Sequence, residues 1–283
     1  MKKIFVILFV FPLILLMACT SNDSESNNDF IIDHRCVKLS AIPESWINKA
    51  KQDLHIAYGH TSHGSQITYG MTGLVDFKGD LYAWRHEDSE ATLDLHDQGL
   101  SGDLGNPDRE TWEQVTRTYI ANNPQVNVII WSWCGQVSSA TEQDINTYLN
   151  LMQGLESDFP SIKFVYMTGH LDGTGLDGNL HLRNEQIRTF CKANNKILYD
   201  FADIESYNPD GFYFGDKIPN DNCDYDSNSD GVRDANWALE WQASHAEDVD
   251  WYNCYSAHSQ ALNANMKAYA AWWLWARLAG WNG

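Results

Sequence analysis

The sequence predicts a three-layer α/β fold in which helices cover both faces of a parallel sheet. Short apolar runs alternate along the chain with segments of helical periodicity, and this alternation is typical of parallel sheets. The most apolar run, "VNVIIWSWC" at residues 126–134, indicates a central strand because parallel strands are buried on both faces. We therefore expect one large domain at residues 31–283, interrupted by an irregular insertion rich in Asn, Asp and Gly at 205–249.

The other elements follow from periodicity and capping residues. Further strands are predicted at residues 54–59, 162–169 and 196–204. Helices are predicted at residues 44–52, 180–195 and 261–278. Thr141 is a predicted N-cap of another helix, because Ile145, Leu149, Met152 and Leu155 then recur with helical spacing. The tryptophans of the last helix are expected to pack in the core rather than to stack on sugars.

The first residues have the pattern of a cleaved export signal. Two lysines and an apolar run precede "LMAC", which resembles the lipobox of bacterial lipoproteins. This resemblance implies a signal peptide at 1–18, a lipid on Cys19 that anchors the protein to a membrane, and a flexible tether at 19–30. The acidic tether resembles the export signals of Bacteroidetes surface lipoproteins, which implies display on the outer membrane. The alternative is an ordinary secretory signal cleaved after Ala18.

The net charge argues against one class of partner, and the cysteine content predicts disulfide bonds. The formal charge of −19 argues against nucleic acid, because phosphate binding needs a basic surface. In an exported chain, Cys223 and Cys254 are the first predicted disulfide, since they flank the irregular insertion. Cys36 with Cys191 is a second pairing, and Cys134 is left as the free thiol. The sequence does not indicate an oligomeric state.

Four segments, in order, resemble the blocks of the SGNH, or GDSL-type, hydrolase family. They are "GHTSHG" after the first strand, "DQGLSGD" at 97–103, "WCGQ" after the central strand and "YSAH" before the last helix. The resemblance implies a flavodoxin-like sheet and assigns Ser62 as the nucleophile, His258 as the base, and Gly102 and Gln136 as oxyanion donors. Thr61 is the alternative nucleophile if the first block is counted from the strand end.

The resemblance implies an exported serine esterase that needs no cofactor for catalysis. A serine hydroxyl needs an imidazole to take its proton, and the tetrahedral intermediate needs rigid donors. The expected substrate is a carbohydrate or small acyl ester that loses acetyl or another short acyl group. Tyr255 stands where the family has its catalytic acid, so Asp248, Asp250 or a carbonyl would orient His258. The second hypothesis is therefore an inactive glycan-binding surface protein on the same scaffold.

Other polar residues near strand ends have several interpretations. We predict that His60, His63, His170 and Asp172 bind substrate at the carboxyl edge of the sheet, and the alternative is that they are plain loop residues. Because histidine and aspartate also ligate zinc, these histidines together with His258 suggest a zinc-dependent hydrolase as a third hypothesis.

The insertion contains a calcium-loop pattern, "DYDSNSDGVRD". The predicted ligands are Asp226, Asn228, Asp230, the carbonyl of Val232, and Asp234. Position 12 of the pattern is Trp237 instead of glutamate, so the loop is not a standard EF-hand. A calcium ion here would be structural, and the alternative is a polar loop closed by Asx turns.

Overall fold

A computed structural model describes Met1, residues 30–87, Ser89 and residues 91–283. Apart from Met1, the predicted signal peptide lies outside the described residues, as do Cys19 and the tether up to residue 29. None of the helices in the described ranges combines the length and apolarity needed to cross a membrane.

The described chain forms an α/β fold around a seven-stranded sheet, as the sequence predicted. All neighbouring strands are parallel, and the order across the sheet is β1-β7-β6-β5-β2-β4-β3. The strands are β1 (Ile31–Ile32), β2 (His55–Gly59), β3 (Trp84–Arg85), β4 (Leu93–Leu100), β5 (Val128–Trp131), β6 (Lys163–Met167) and β7 (Ile197–Tyr199). The strand β5 is central, which confirms the prediction from its apolar run, although it is shorter than predicted.

Helices flank the sheet and make it the middle of three layers. The main helices are α1 (Glu44–Asp53), α2 (Ser65–Lys78), α3 (Thr111–Asn122), α4 (Glu142–Asp158), α5 (Asn179–Ala193), the short α6 (Phe201–Ile204), α7 (Trp237–Ser244) and α8 (Ala261–Leu278). The helix α8 packs against α1 and α2, whereas α4 packs against α3 and α5. Thr141 caps α4 as predicted, in a reciprocal capping box with Asp144.

Two predicted elements differ in the structure. The predicted strand at 196–204 ends at Tyr199, and the rest forms α6, because the carboxylate of Asp200 accepts from the backbone N–H of Asp203 and caps a helix there. The predicted irregular insertion contains a small hairpin, β8 (Asp224–Tyr225) with β9 (Ala235–Asn236), followed by α7.

The core lies on both faces of the sheet and includes the last helix. Trp272 and Trp275 of α8 are fully buried, which confirms that they pack in the core. The same helix buries Asn263, Asn265 and Lys267, and each of these polar side chains has a hydrogen-bond partner. Burial without such partners would cost several kcal/mol per group, on the order of 2–7.

Both cysteines of the predicted disulfide are free thiols in the structure. The Sγ of Cys223 lies 3.5 Å from the hydroxyl of Ser259, and the Sγ of Cys254 contacts the carbonyl of Ala261. Cys36 and Cys191, the second predicted pair, are also free and buried. The predicted Cys223–Cys254 bridge is therefore not formed, because each sulfur lies against a different polar neighbour.

Candidate active site

The order of the strands places a crevice between the carboxyl ends of β2 and β5. Along the chain β4 comes after β2 and before β5, but in the sheet it lies on one side of β2. The strands β5, β6 and β7 lie on the other side of β2. The connections to the two sides of β2 therefore diverge, and ligands of doubly wound sheets bind at such a switch point. His63 lies in the turn after β2, and Cys134 lies three residues after the end of β5.

The turn after β2 depends on a glycine for space rather than for an unusual backbone angle. Gly64 has ordinary helical angles, but a Cβ atom there would lie 2.4 Å from the Cβ of His60 and 2.7 Å from the hydroxyl of Tyr58. That hydroxyl donates to the carbonyl of Gly64 at 2.9 Å. The first turn of α2 is thereby held against β2, which fixes His63 at the edge of the sheet.

Three side chains form a connected chain of hydrogen bonds in this crevice. The Nδ1 of His63 lies 3.4 Å from the Sγ of Cys134, and its Nε2 lies 2.9 Å from a carboxylate oxygen of Asp221. The imidazole is buried, Cys134 is half-buried and Asp221 keeps 27% of its side chain exposed. A thiol bonded to an imidazole that is in turn bonded to a carboxylate is the arrangement of a cysteine nucleophile with its base and orienting group.

The electrostatics of these three groups favour a charged pair. The hydrogen bond from His63 lowers the pKa of the Cys134 thiol to about 6, against the effect of burial. Burial opposes protonation of His63, but the hydrogen bonds to Asp221 and Cys134 outweigh it and raise the pKa of His63 to about 9. Burial would raise the pKa of Asp221, yet the bond from His63 lowers it. Near neutral pH, the pair is therefore a thiolate beside an imidazolium.

The backbone of two loops brings Asp221 to this position. The N–H of Gly173, in the loop after β6, donates to the carbonyl of Pro219 at 3.1 Å. Asp172 and Asn220 pair as an isolated antiparallel bridge. The carboxylate of Asp172 itself accepts from Thr174, so its contribution to the crevice is through the backbone. The insertion that is predicted to be irregular thus supplies the carboxylate of Asp221 to the site.

The predicted nucleophile, Ser62, lies in the same crevice but beside the sulfur. Its hydroxyl is 3.5 Å from the Sγ of Cys134, and within the described residues it has no imidazole nitrogen as a partner. The hydroxyl of Thr61, the alternative nucleophile, donates to the carboxylate of Asp103 at 2.6 Å. Ser62 is thus placed to donate a hydrogen bond to the thiolate of Cys134.

His258, the predicted base, lies on the outer side of a stack of imidazole rings. The His63 ring is stacked on His170, with ring centroids 3.6 Å apart. The ring of His258, which is an exposed residue, stacks on His63 with centroids 4.5 Å apart. The backbone of His258 has a φ of 59°, in the left-handed region. The structure therefore brings His258 next to the predicted serine's turn, but in contact with another imidazole.

The predicted oxyanion donors lie in two neighbouring loops. The side-chain carbonyl of Gln136 accepts from the backbone N–H of Cys134 at 2.9 Å, which fixes the Gln136 side chain against the backbone of Cys134. Gly102 has a φ of 102° in the loop after β4, one residue before Asp103. His60, a predicted substrate ligand, is buried, and its Nε2 lies 2.6 Å from Asp97.

His170 has the most unusual environment of the predicted residues. It is 8% exposed, and its Nδ1 lies 2.9 Å from the carbonyl of Leu171, so this nitrogen carries the proton. Within the described residues, its Nε2 has no hydrogen-bond partner. Burial, followed by the neighbouring His63, lowers the pKa of His170 and favours a neutral ring.

The predicted calcium loop folds around its first carboxylate. Asp226 accepts hydrogen bonds from the backbone N–H groups of residues 228–231, and Asp234 accepts from Ser227. The side chains of Asn228 and Asp230 accept from the N–H groups two residues further on. Val232 is exposed. The loop is ordered by Asx turns in the structure, and calcium binding to it remains a prediction.

No protein-family model, curated protein or solved structure matches this chain.

Sequence patterns do not identify two residues of the site, Cys134 and Asp221. The sequence predicts Cys134 only as an unpaired thiol, although an odd cysteine in a secreted chain also indicates a free reactive thiol. Asp221 lies in a segment with many acidic residues, and no local pattern distinguishes it from its neighbours. Only the loop contacts described above select it.

Proposed function

We propose that this protein is an exported acyl-ester hydrolase that uses Cys134, rather than Ser62, as its nucleophile. The observation that carries the proposal is the Cys134–His63–Asp221 chain, with distances of 3.4 and 2.9 Å, at the switch point of the sheet. The ester-hydrolase activity that the sequence suggested is retained, and the identity of the attacking atom changes. The lipid anchor on Cys19 and display on the outer membrane remain part of the proposal.

The reaction follows from the charged pair. The thiolate of Cys134 attacks the ester carbonyl carbon, and the carbonyl π electrons move to its oxygen. When the intermediate collapses, the bond to the leaving oxygen breaks and Nδ1 of His63 gives that oxygen its proton. A thioester on Cys134 remains. Water then attacks the thioester carbon, His63 takes one proton from the water, and the acid leaves as the thiolate is regenerated.

The neighbouring groups have separate roles in this mechanism. Asp221 orients His63 through its Nε2 and stabilises the imidazolium form. The hydroxyl of Ser62 stabilises the thiolate. The amide of Gln136 is the proposed oxyanion donor, because its carbonyl end is already fixed on the backbone of Cys134.

A cleft beside Ser62 supports a carbohydrate as the substrate. It has a volume of about 500 Å³ and lies between α2, β4 and residues 255–257. Tyr69 and Tyr255 line it with exposed rings in an edge-to-face pair, and Trp84 and Asp97 also line it. Exposed aromatic rings beside hydroxyl and carboxylate groups are suited to stacking on a sugar and bonding its hydroxyls.

The test compares two single substitutions at neighbouring positions. We expect Cys134→Ser to reduce the hydrolysis of p-nitrophenyl acetate to the background rate, while Ser62→Ala keeps measurable turnover. Cys254→Ser is the matched control, because it removes a thiol outside the crevice. Mass spectrometry of a quenched reaction should find the acyl group on Cys134. Activity that survives Cys134→Ser and is lost in Ser62→Ala would instead establish the serine mechanism.

A further inference from the structure

His170, which has a buried nitrogen without a partner, belongs to a group of metal-ligating side chains. One ligand atom each from His63, His170 and Asp221 lies within 4.8 Å of the other two. Both histidines are more than nine-tenths buried. A buried imidazole nitrogen without a partner costs free energy, so its retention beside two other ligands needs a reason.

The tautomer of His170 is the one that metal ligands have. Its Nδ1 donates to the carbonyl of Leu171, which leaves the lone pair on Nε2. Histidines that ligate metals commonly donate their other ring N–H to a backbone carbonyl, because this fixes the ring and raises its basicity. The outer partner of His170 is therefore in place, and binding one ion requires the stacked rings of His63 and His170 to turn so that a nitrogen of each points at it.

The second histidine has a comparable outer partner. If the Nε2 of His63 ligates a metal, its Nδ1–H can donate to the Sγ of Cys134, 3.4 Å away. Two imidazoles and one carboxylate match the ligand preferences of zinc, with a fourth position left for water. The other group of this kind in the described chain is Asp33, His34 and Asp203, and its histidine has no buried ring nitrogen that lacks a partner.

We infer that His63, His170 and Asp221 bind one zinc ion, and that this ion switches the thiol site off. The inhibition, but not the binding, rests on the proposed function. Zinc takes the place of a proton on Nε2 of His63, the nitrogen that faces Asp221. Nδ1 then keeps its proton, because losing it would leave an imidazolate. His63 can no longer protonate the leaving group or activate water.

The binding test is a calorimetric titration of chelator-stripped protein with zinc chloride. We expect one ion per chain. His170→Gln should weaken binding by more than the roughly 10- to 100-fold that loss of an outer-shell partner costs. His181→Gln is the matched control outside the cluster and should bind as the wild type does. Circular dichroism and thermal unfolding establish that each variant is folded.

A second variant and a second readout separate the two proposals. Asp221→Asn should also weaken zinc binding, whereas Cys134→Ser should retain it, because the sulfur is not a ligand. Zinc should suppress ester hydrolysis by the wild type, and a chelator should restore it. Absence of stoichiometric binding, or equal affinity in His170→Gln and His181→Gln, would overturn the zinc site. Zinc binding that depends on His170 in a protein without esterase activity would uphold the site and refute the proposed function.

Discussion

The carboxylate of Glu205 and the ammonium group of Lys267 lie 2.6 Å apart, and both side chains are almost fully buried. Lys267 also donates to the side chain of Gln66, whose amide donates to the carbonyl of Ala257. Glu205 accepts from the backbone N–H of Leu171. These partners are the near neighbours in sequence of His63, His258 and His170, so one buried ion pair holds all three histidine-bearing segments.

Breaking this pair should destabilise the protein strongly. Burial lowers the pKa of Lys267 and Glu205 opposes that shift, so either partner alone would be an uncompensated buried group. We expect Lys267→Met to cost about 3–5 kcal/mol in the free energy of unfolding, measured by denaturant titration. The double variant with Glu205→Gln should recover part of that loss.

The control for that measurement is the partly exposed pair between Lys196 and Glu156. Lys196→Met should cost only about 0–1 kcal/mol, because solvent screens the charges. Equal losses in the two lysine variants would show that burial of the Lys267 pair contributes nothing special.

The rate of alkylation of Cys134 should depend on pH as it does for an unusually acidic thiol. Since the pKa of this thiol is lowered to about 6, its reaction with iodoacetamide should be slow below pH 5, rise through pH 6 and level off by pH 7. Burial raises the pKa of Cys36 to about 11 and of Cys254 to about 12, so neither should react in that range. Peptide mapping in a buffer with chelator gives each rate. A midpoint above pH 8 would contradict the charged pair.

The rate of hydrolysis should depend on pH, with an acidic limit set by Cys134 and a basic limit set by His63. Activity rises as Cys134 loses its proton near pH 6, and it falls as His63, with a pKa of about 9, loses the proton that the leaving group needs. The expected profile of kcat/KM is a bell between these values, recorded with chelator present. A profile that stays flat from pH 5 to pH 10 would exclude this acid–base assignment.

Asp221→Asn should raise the pKa of Cys134 and slow hydrolysis. The amide cannot stabilise the imidazolium of His63, and the thiolate loses its counter-ion in turn. We expect a loss of about 100-fold or more in kcat, the range typical of impaired proton transfer. Asp216→Asn is the control, since Asp216 is an exposed aspartate of the same insertion. Similar rates in the two variants would remove Asp221 from the mechanism.

Calcium should raise the melting temperature if the loop at 226–234 binds it. A ligand that binds only the folded state stabilises it by mass action. Asp226→Asn should abolish the increase, because Asp226 is the carboxylate around which the loop is built. Differential scanning fluorimetry with calcium and with chelator gives the comparison, and Asp216→Asn again serves as the control. An unchanged melting temperature in excess calcium would leave the loop as an Asx-turn structure.

The sequence by itself determined the layers of the fold and the edge of the sheet where the polar residues meet. Alternating apolar runs and helical periodicity predicted α1, β2, β5, α4, β6, α5 and α8, because burial on a sheet or helix imposes a period that is visible locally. The strand β4 was missed, since residues 93–100 include two aspartates, a histidine and a glutamine that hide its apolar face. The end of β7 was misplaced because Asp200 starts a helix in an otherwise apolar run.

Only the tertiary structure decided which side chains meet. Ser62, His63 and Cys134 were all visible near strand ends, but their pairing depends on distances between loops that are 71 or more residues apart in sequence. Asp221 is 158 residues from its partner His63, and loop-to-loop backbone bonds place it. A hydrogen bond requires alignment within a few tenths of an ångström, and sequence patterns carry no information at that scale. The chain therefore specified the region of the site, and packing specified its chemistry.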